Sequence, residues 1–236
     1  MIRGNVLFGG DSIMVSIVGR IPRYVKAEGI SVVALGGQTS DWLLRQMKGL
    51  EAYPGELEKS GSFVMLIGTN DLAGTSTPEK IFDNIVKIWD VAKKHGLKVY
   101  AMTVPPFRGW ATYAPSWDTK RHALNQLIST SPIPTGIVPL HTLLADPADP
   151  DHLSKEYDSA DHLHPNPIKL GALVESEVSR LQSLSPSLPS PSPTPSPVSS
   201  PPVLPPTNWL LVGGVVGALA LGGWYLFSRP KAGIRV

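Results

Sequence analysis

Three short stretches carry side chains that together could perform nucleophilic chemistry. Gly10-Asp11-Ser12 offers a hydroxyl, Gly68-Thr69-Asn70-Asp71 offers an amide, and Asp161-His162-Leu163-His164 sets a carboxylate and an imidazole three residues apart. A serine hydroxyl is a poor nucleophile until a neighbouring base takes its proton, and histidine titrates near working pH. A carboxylate on the other ring nitrogen fixes the tautomer and stabilises the imidazolium. Asp and His three apart can share one tight turn with the carboxylate beside the imidazole, and His162 competes with His164 for the role of base. Each stretch also has a plain alternative. Ser12 or Asp11 could simply cap a helix, and the glycine-rich segments could be ordinary turns.

The elements that would position these groups are legible in the apolar pattern. Ile2–Phe8, Ile30–Leu35, Ser62–Ile67, Leu97–Val104 and Gly136–Leu140 are apolar runs of strand length. Helix-like stretches lie between them at Ile13–Glu28, Ser40–Leu50, Pro78–His95 and Thr119–Thr130, with a last one at Pro167–Gln182. In the third, Thr77 can cap, Pro78 suits the first turn, and Ile81, Ile85, Ile88, Trp89 and Ala92 repeat at helical spacing. Alternation of this kind predicts a three-layer α/β/α domain around a five-stranded parallel sheet. Functional groups in such sheets gather at the carboxyl ends of the strands. Ser12 follows the first run, Gly36-Gly37-Gln38-Thr39 the second and Asn70 the third.

Taken in order, Gly10-Asp11-Ser12, Gly37, Gly68-Thr69-Asn70-Asp71 and Asp161-x-x-His164 resemble the four blocks of the GDSL, or SGNH, family of serine hydrolases. The resemblance implies that fold, with Ser12 as nucleophile, His164 as general base and Asp161 as its orienting carboxylate. It further implies an oxyanion hole made of the Ser12 N–H, the Gly37 N–H and the Asn70 amide, and no cofactor or metal. The second block departs from the family pattern: Val33-Ala34-Leu35-Gly36-Gly37 lacks the polar residue often found before the glycine. Gly36 and Gly37 are both open as donors, with Gly37 preferred because Gly-x-Thr follows it. The run Gly-Thr-Asn-Asp-Leu-Ala-Gly and the compact size look most like small acylhydrolases that remove acetyl or short acyl groups from carbohydrate or lipid. A catalytically silent binding or structural module of the same fold is the alternative. The Gly-x-Ser-x-Gly elbow of α/β-hydrolases is absent.

Composition narrows the remaining classes. The chain of 236 residues has no Cys, which removes disulfides, thiolate zinc sites and a cysteine nucleophile. Of its net charge of +2, Arg229, Lys231 and Arg235 supply more than the whole, so the preceding residues are almost neutral and no nucleic-acid partner is expected. His95, His122, His141 and His152 have no partner at ligand spacing. Asp149, Asp151, His152, Asp158, Asp161, His162 and His164 form an acidic, histidine-rich stretch; a solvated loop is the preferred reading and a divalent-metal site the minor one.

The domain is expected to span residues 1–182, followed by a linker at 183–208. Ser183–Thr207 holds ten Pro and eight Ser among 25 residues and no charge, a semi-rigid spacer. Trp209–Phe227 follows with 19 uncharged residues, close to the ~20 that span a bilayer core, and a transmembrane helix is expected over 209–228 with a basic tail at 229–236. Trp209, Trp224 and Tyr225 are interface-type aromatics. Gly213 and Gly217, and Gly214, Ala218 and Gly222, are spaced for close helix–helix approach and hence for self-association. Leu204-Pro205-Pro206-Thr207-Asn208 has the form of a Leu-Pro-x-Thr-Gly sorting signal with Asn in place of Gly, a string that Pro/Thr-rich linkers also produce by chance. The basic end argues for a cytoplasmic C-terminus and an external domain. Against that, a first strand starting at Ile2 leaves no room for a secretory leader, so either the true start lies upstream or the domain is tail-anchored and faces the cytosol, and both topologies stay open.

Overall fold

The computed structural model describes residues 2–18, 25–26, 29–52 and 54–184, all within one compact unit, Met1–Leu188. Its strands are β1 (Ile2–Arg3), β2 (Val6–Gly10), β3 (Val25–Lys26), β4 (Ile30–Ala34), β5 (Ser62–Leu66), β6 (Lys98–Met102) and β7 (Gly136–Val138). Its helices are α1 (Ser12–Val18), α2 (Ser40–Ala52), α3 (Gly55–Lys59), α4 (Thr69–Leu72), α5 (Pro78–Lys94), α6 (Ser116–Thr130), α7 (Leu140–Leu143) and α8 (Pro167–Leu184). The five-stranded sheet is parallel throughout, in the order β4-β2-β5-β6-β7, and β1 and β3 pair separately.

Side chains alternate across the strands, and that alternation builds two cores. Leu7, Phe63, Met65, Val99 and Ala101 face one side, where they meet Leu43, Met47, Ile81, Ile85, Ile88, Trp89 and Leu124 of α2, α5 and α6. Val6, Phe8, Val64, Leu66, Tyr100 and Met102 face the other, against Ile13, Met14 and Ile17 of α1 and Leu170, Val174 and Val178 of α8. A sheet buried on both faces explains why the strands read as nearly continuous apolar runs. The strand order reverses at β2, so the crevice at the carboxyl ends of β2 and β5 is the switch point where such sheets place their chemistry.

The sequence expectations need three corrections. The first run is two strands, broken where Gly4 takes a φ of +77°. The helix expected over Ile13–Glu28 is described only to Val18, and Val25–Lys26 within it forms β3. The last helix extends to Leu184, taking the first two residues of the expected linker. The rest of that linker, Trp209–Phe227 and the basic tail lie outside the described residues. Among the described residues no helix is long and apolar enough to cross a membrane.

Candidate active site

Ser12 opens α1 directly beyond the end of β2, and the backbone there is possible only because Gly10 has no side chain. A Cβ at Gly10 would stand 2.2 Å from the Leu66 carbonyl oxygen on β5. Asp11 is fully buried, and its Oδ1 accepts the Ile13 N–H at 3.0 Å, satisfying one of the free donors of the first turn. Among the described residues its Oδ2 has no partner at hydrogen-bonding geometry. Burial pushes the Asp11 carboxyl up to about 6; the Ile13 N–H and nearby Thr69 and His164 work against the rise, and Asp71 adds to it.

His164 and Asp161 reach Ser12 from the loop between α7 and α8. The Ser12 hydroxyl lies 2.9 Å from His164 Nε2, and His164 Nδ1 lies 2.6 Å from Asp161 Oδ2. The loop is shaped by its own aspartates. Asp161 Oδ1 accepts the N–H groups of Leu163 and His164, at 3.0 and 2.8 Å, and Asp158 Oδ1 accepts those of Ala160 and His162, at 2.9 and 3.1 Å. Asn166 Oδ1 then accepts from Ile168 and Lys169, and Pro167 begins α8. Burial tends to raise the Asp161 carboxyl, but the His164 ring and the two backbone N–H groups outweigh it and hold the group below its usual range.

His162 does not face Ser12. Its Nδ1 lies 2.6 Å from Asp158 Oδ2, and its ring edge fills the space beside Gly109, where a Cβ would stand 3.2 Å from His162 Cβ. Two His–Asp pairs therefore sit side by side on one loop, and one of them reaches the serine.

The other sheet-edge loops close around the same point. Leu35 N–H donates to the Gly10 carbonyl at 3.2 Å, which carries Gly36 and Gly37 alongside Ser12; a Cβ at Gly36 would stand 3.8 Å from Ser12 Cβ. Gly37 has a φ of +73° with open space on its side-chain face. Asn70, on α4, donates from Nδ2 to the Gln38 carbonyl at 2.9 Å. Gly68 precedes it at φ +121°, where a Cβ would press on Leu124 at 3.0 Å, so only glycine turns the chain tightly enough to present Asn70. Asp71 is buried and accepts from both the N–H and the hydroxyl of Ser40, at 2.8 and 2.7 Å. Ser40 Oγ in turn accepts from Asn84 Nδ2 at 3.1 Å.

The acidic, histidine-rich stretch resolves into pairs. His122 faces Asp151 at 2.6 Å and His152 faces Asp149 at 2.9 Å, so two histidines expected to stand alone have carboxylate partners. Asp149 and Asp151 also pair with Arg108, and Asp151 with Arg121, which is 1 % exposed. Among the described residues no group of three or more His, Asp or Glu is arranged to hold a metal ion. A cavity of about 320 Å³ opens beside this network between α6 and α7, and none of Ser12, Asp161 and His164 lines it.

A parallel α/β/α sandwich here carries at its switch-point edge a hydrogen-bonded Ser-His-Asp chain, an arrangement that can activate a serine hydroxyl. The chain belongs to the GDSL-like lipase/acylhydrolase family, which matches residues 8–168, and is an esterase/acylhydrolase. Solved structures share the fold at low identity. A Bacteroides fragilis protein assigned as an acylhydrolase is 23% identical with a TM-score of 0.63, covering 76% of this chain and 86% of its own. A Streptococcus pneumonia protein assigned as a platelet activating factor is 26% identical at 0.58, covering 77% and 85%. A GDSL-like lipase from Bacteroides thetaiotaomicron is 23% identical at 0.53, covering 75% and 88%. No curated protein matches the chain significantly.

Proposed function

We propose that the chain cleaves carboxylic esters through an acyl-serine intermediate, with Ser12 as nucleophile, His164 as general base and acid, and Asp161 as the carboxylate that orients the imidazole. The observation that carries this reading is the unbroken hydrogen-bond chain Ser12 Oγ–His164 Nε2 and His164 Nδ1–Asp161 Oδ2. His164 takes the Ser12 proton as Oγ attacks the carbonyl carbon, then delivers it to the departing alcohol; a water repeats the sequence on the acyl-enzyme. The developing oxyanion is assigned to the Ser12 N–H, the Gly37 N–H and the Asn70 amide as donors. One Asn70 N–H is committed to Gln38, which leaves the second for the developing charge.

The substrate class proposed is acetyl or short acyl esters of carbohydrate or lipid. Trp209–Phe227 is proposed as a single C-terminal membrane anchor, with helix-mediated self-association through its spaced glycines. A fluorophosphonate probe tests the reaction, because it labels only an activated serine. The wild-type chain should be labelled and Ser12→Ala should not; an unlabelled wild type would favour the silent module of the same fold. A panel of p-nitrophenyl esters and acetylated sugars reads the acyl and alcohol preference.

A further inference from the structure

The Asp71 carboxylate is buried and spends both oxygens on one residue, Ser40, across 31 positions of sequence. Ser40 begins α2, so the carboxylate meets the N–H-rich end of a 13-residue helix and favours its charged form there. Burial still pushes the Asp71 carboxyl above the ordinary range, against the bonds from Ser40. Asn84, buried on α5, completes the chain by donating to Ser40 Oγ. The four residues before Ser40 are Gly36, Gly37, Gln38 and Thr39, and the residue before Asp71 is Asn70. Asn70 makes a second tie to the same loop through the Gln38 carbonyl. Two of the three oxyanion donors of the proposed reaction thus lie on loops from different strands, and every described side-chain bond joining those loops runs through Asp71, Ser40 or Asn70.

We propose that Asp71, acting through Ser40 and braced by Asn84, is a positioning residue that sets the distance between Gly37 and Asn70 and so assembles the oxyanion hole. The proposal rests on the serine-hydrolase reading above. Donors stabilise a developing oxyanion only at hydrogen-bonding distance from where it forms, and a misplacement of about 1 Å can cost on the order of 10²-fold in rate. A buried carboxylate fixing a helix start is a stiff reference point, since breaking either of its bonds leaves a polar group without solvent.

Full-length Asp71→Asn, Ser40→Ala and Ser40→Thr variants test this with a p-nitrophenyl ester and a fluorophosphonate. Asp71→Asn and Ser40→Ala should lower kcat by roughly 10- to 100-fold with KM within about threefold, and should slow phosphonylation in parallel, because both steps build charge on the oxyanion. Ser40→Thr keeps the hydroxyl and should restore most of the rate. In the Asn70→Ala background, Asp71→Asn should cost little more, since the hole is already broken; additive losses would mean a general folding role and overturn the proposal. Equal rates for Ser40→Ala and wild type would overturn it too, even where Asp71→Asn fails to fold. A wild-type chain inert to the fluorophosphonate would instead remove the hydrolase reading and this proposal together.

Discussion

Ser12 Oγ and His164 Nε2 stand 2.9 Å apart although 152 residues separate them, and the sheet is what brings them together. Ser12 is fixed by the end of β2, and His164 by the loop that enters α8, which packs on the same face as α1. Removing either partner should therefore remove catalysis without unfolding the domain, because both sit at the half-exposed edge and outside the two cores. Ser12→Ala and His164→Ala should each lower kcat by at least about 10³-fold, and Asp161→Asn should be severe through the wrong imidazole tautomer. His162→Ala should keep turnover, since its ring is turned to Asp158. A dead His162→Ala beside an active His164→Ala would reverse the base assignment.

Much of this arrangement is legible in the amino-acid sequence. Five apolar runs gave the sheet because strands buried on both faces show no polar alternation to confuse them, and Asp161-x-x-His164 marked the pair because three-residue spacing is a local property. What stayed hidden depends on contacts across the chain. Ser40 and Asn84 carry no motif; they matter because α2 and α5 pack side by side and bring them to Asp71. His122 reads as solitary because its partner Asp151 lies 29 residues along the chain, whereas His152 follows Asp149 at the same three-residue spacing as Asp161 and His164, a local signal the sequence does carry. The short helix α4 was concealed inside Thr69-Asn70-Asp71-Leu72, four residues that read equally well as a turn.

Asn70→Ala should lower kcat by about 10²–10³-fold while changing KM little, as expected of a donor whose bond strengthens only in the transition state. Steady-state kinetics on one soluble ester separates the two constants. An unchanged kcat would take Asn70 out of the oxyanion hole and leave its bond to Gln38 as its whole role.

Asp11 makes a stability prediction with a definite sign. Its carboxyl rises from 3.8 to about 6 on folding, so the folded protein holds the proton more tightly than the unfolded chain. The stability this provides is whole below about pH 3.8 and is lost as pH rises through 6, by about 3 kcal/mol if the rise is fully expressed. Asp161 is displaced the other way, so its contribution is present above the unfolded value and fades only at lower pH. Urea denaturation at pH 4, 5, 6 and 7 should show wild type losing stability relative to Asp11→Asn across that window. Parallel curves for the two proteins would mean that the Asp11 carboxyl is not destabilised by its burial.

Incubation with EDTA should leave activity unchanged, because the described carboxylates and imidazoles near the site pair with one another and with arginine. Loss of turnover in EDTA that a divalent cation restores would assign a metal to the loop around Asp161.

The last prediction separates chemistry from anchoring. Every residue of the proposed site, all seven described strands and both described cores lie before Leu184, and the 25 residues from Ser183 to Thr207 have little apolar surface with which to pack onto the domain. A chain ending at Leu188, where the compact unit ends, should therefore be soluble and as active on small esters as the full chain. The full chain should partition into detergent or vesicles, and deletion of Trp209–Phe227 alone should abolish that partition with kcat on a soluble ester unchanged. If the shortened chain aggregates or loses turnover, the apolar segment completes the hydrolase core, and the anchor reading falls. If the full chain stays in the aqueous phase while both forms are active, the hydrolase stands and the segment has some task other than spanning a bilayer.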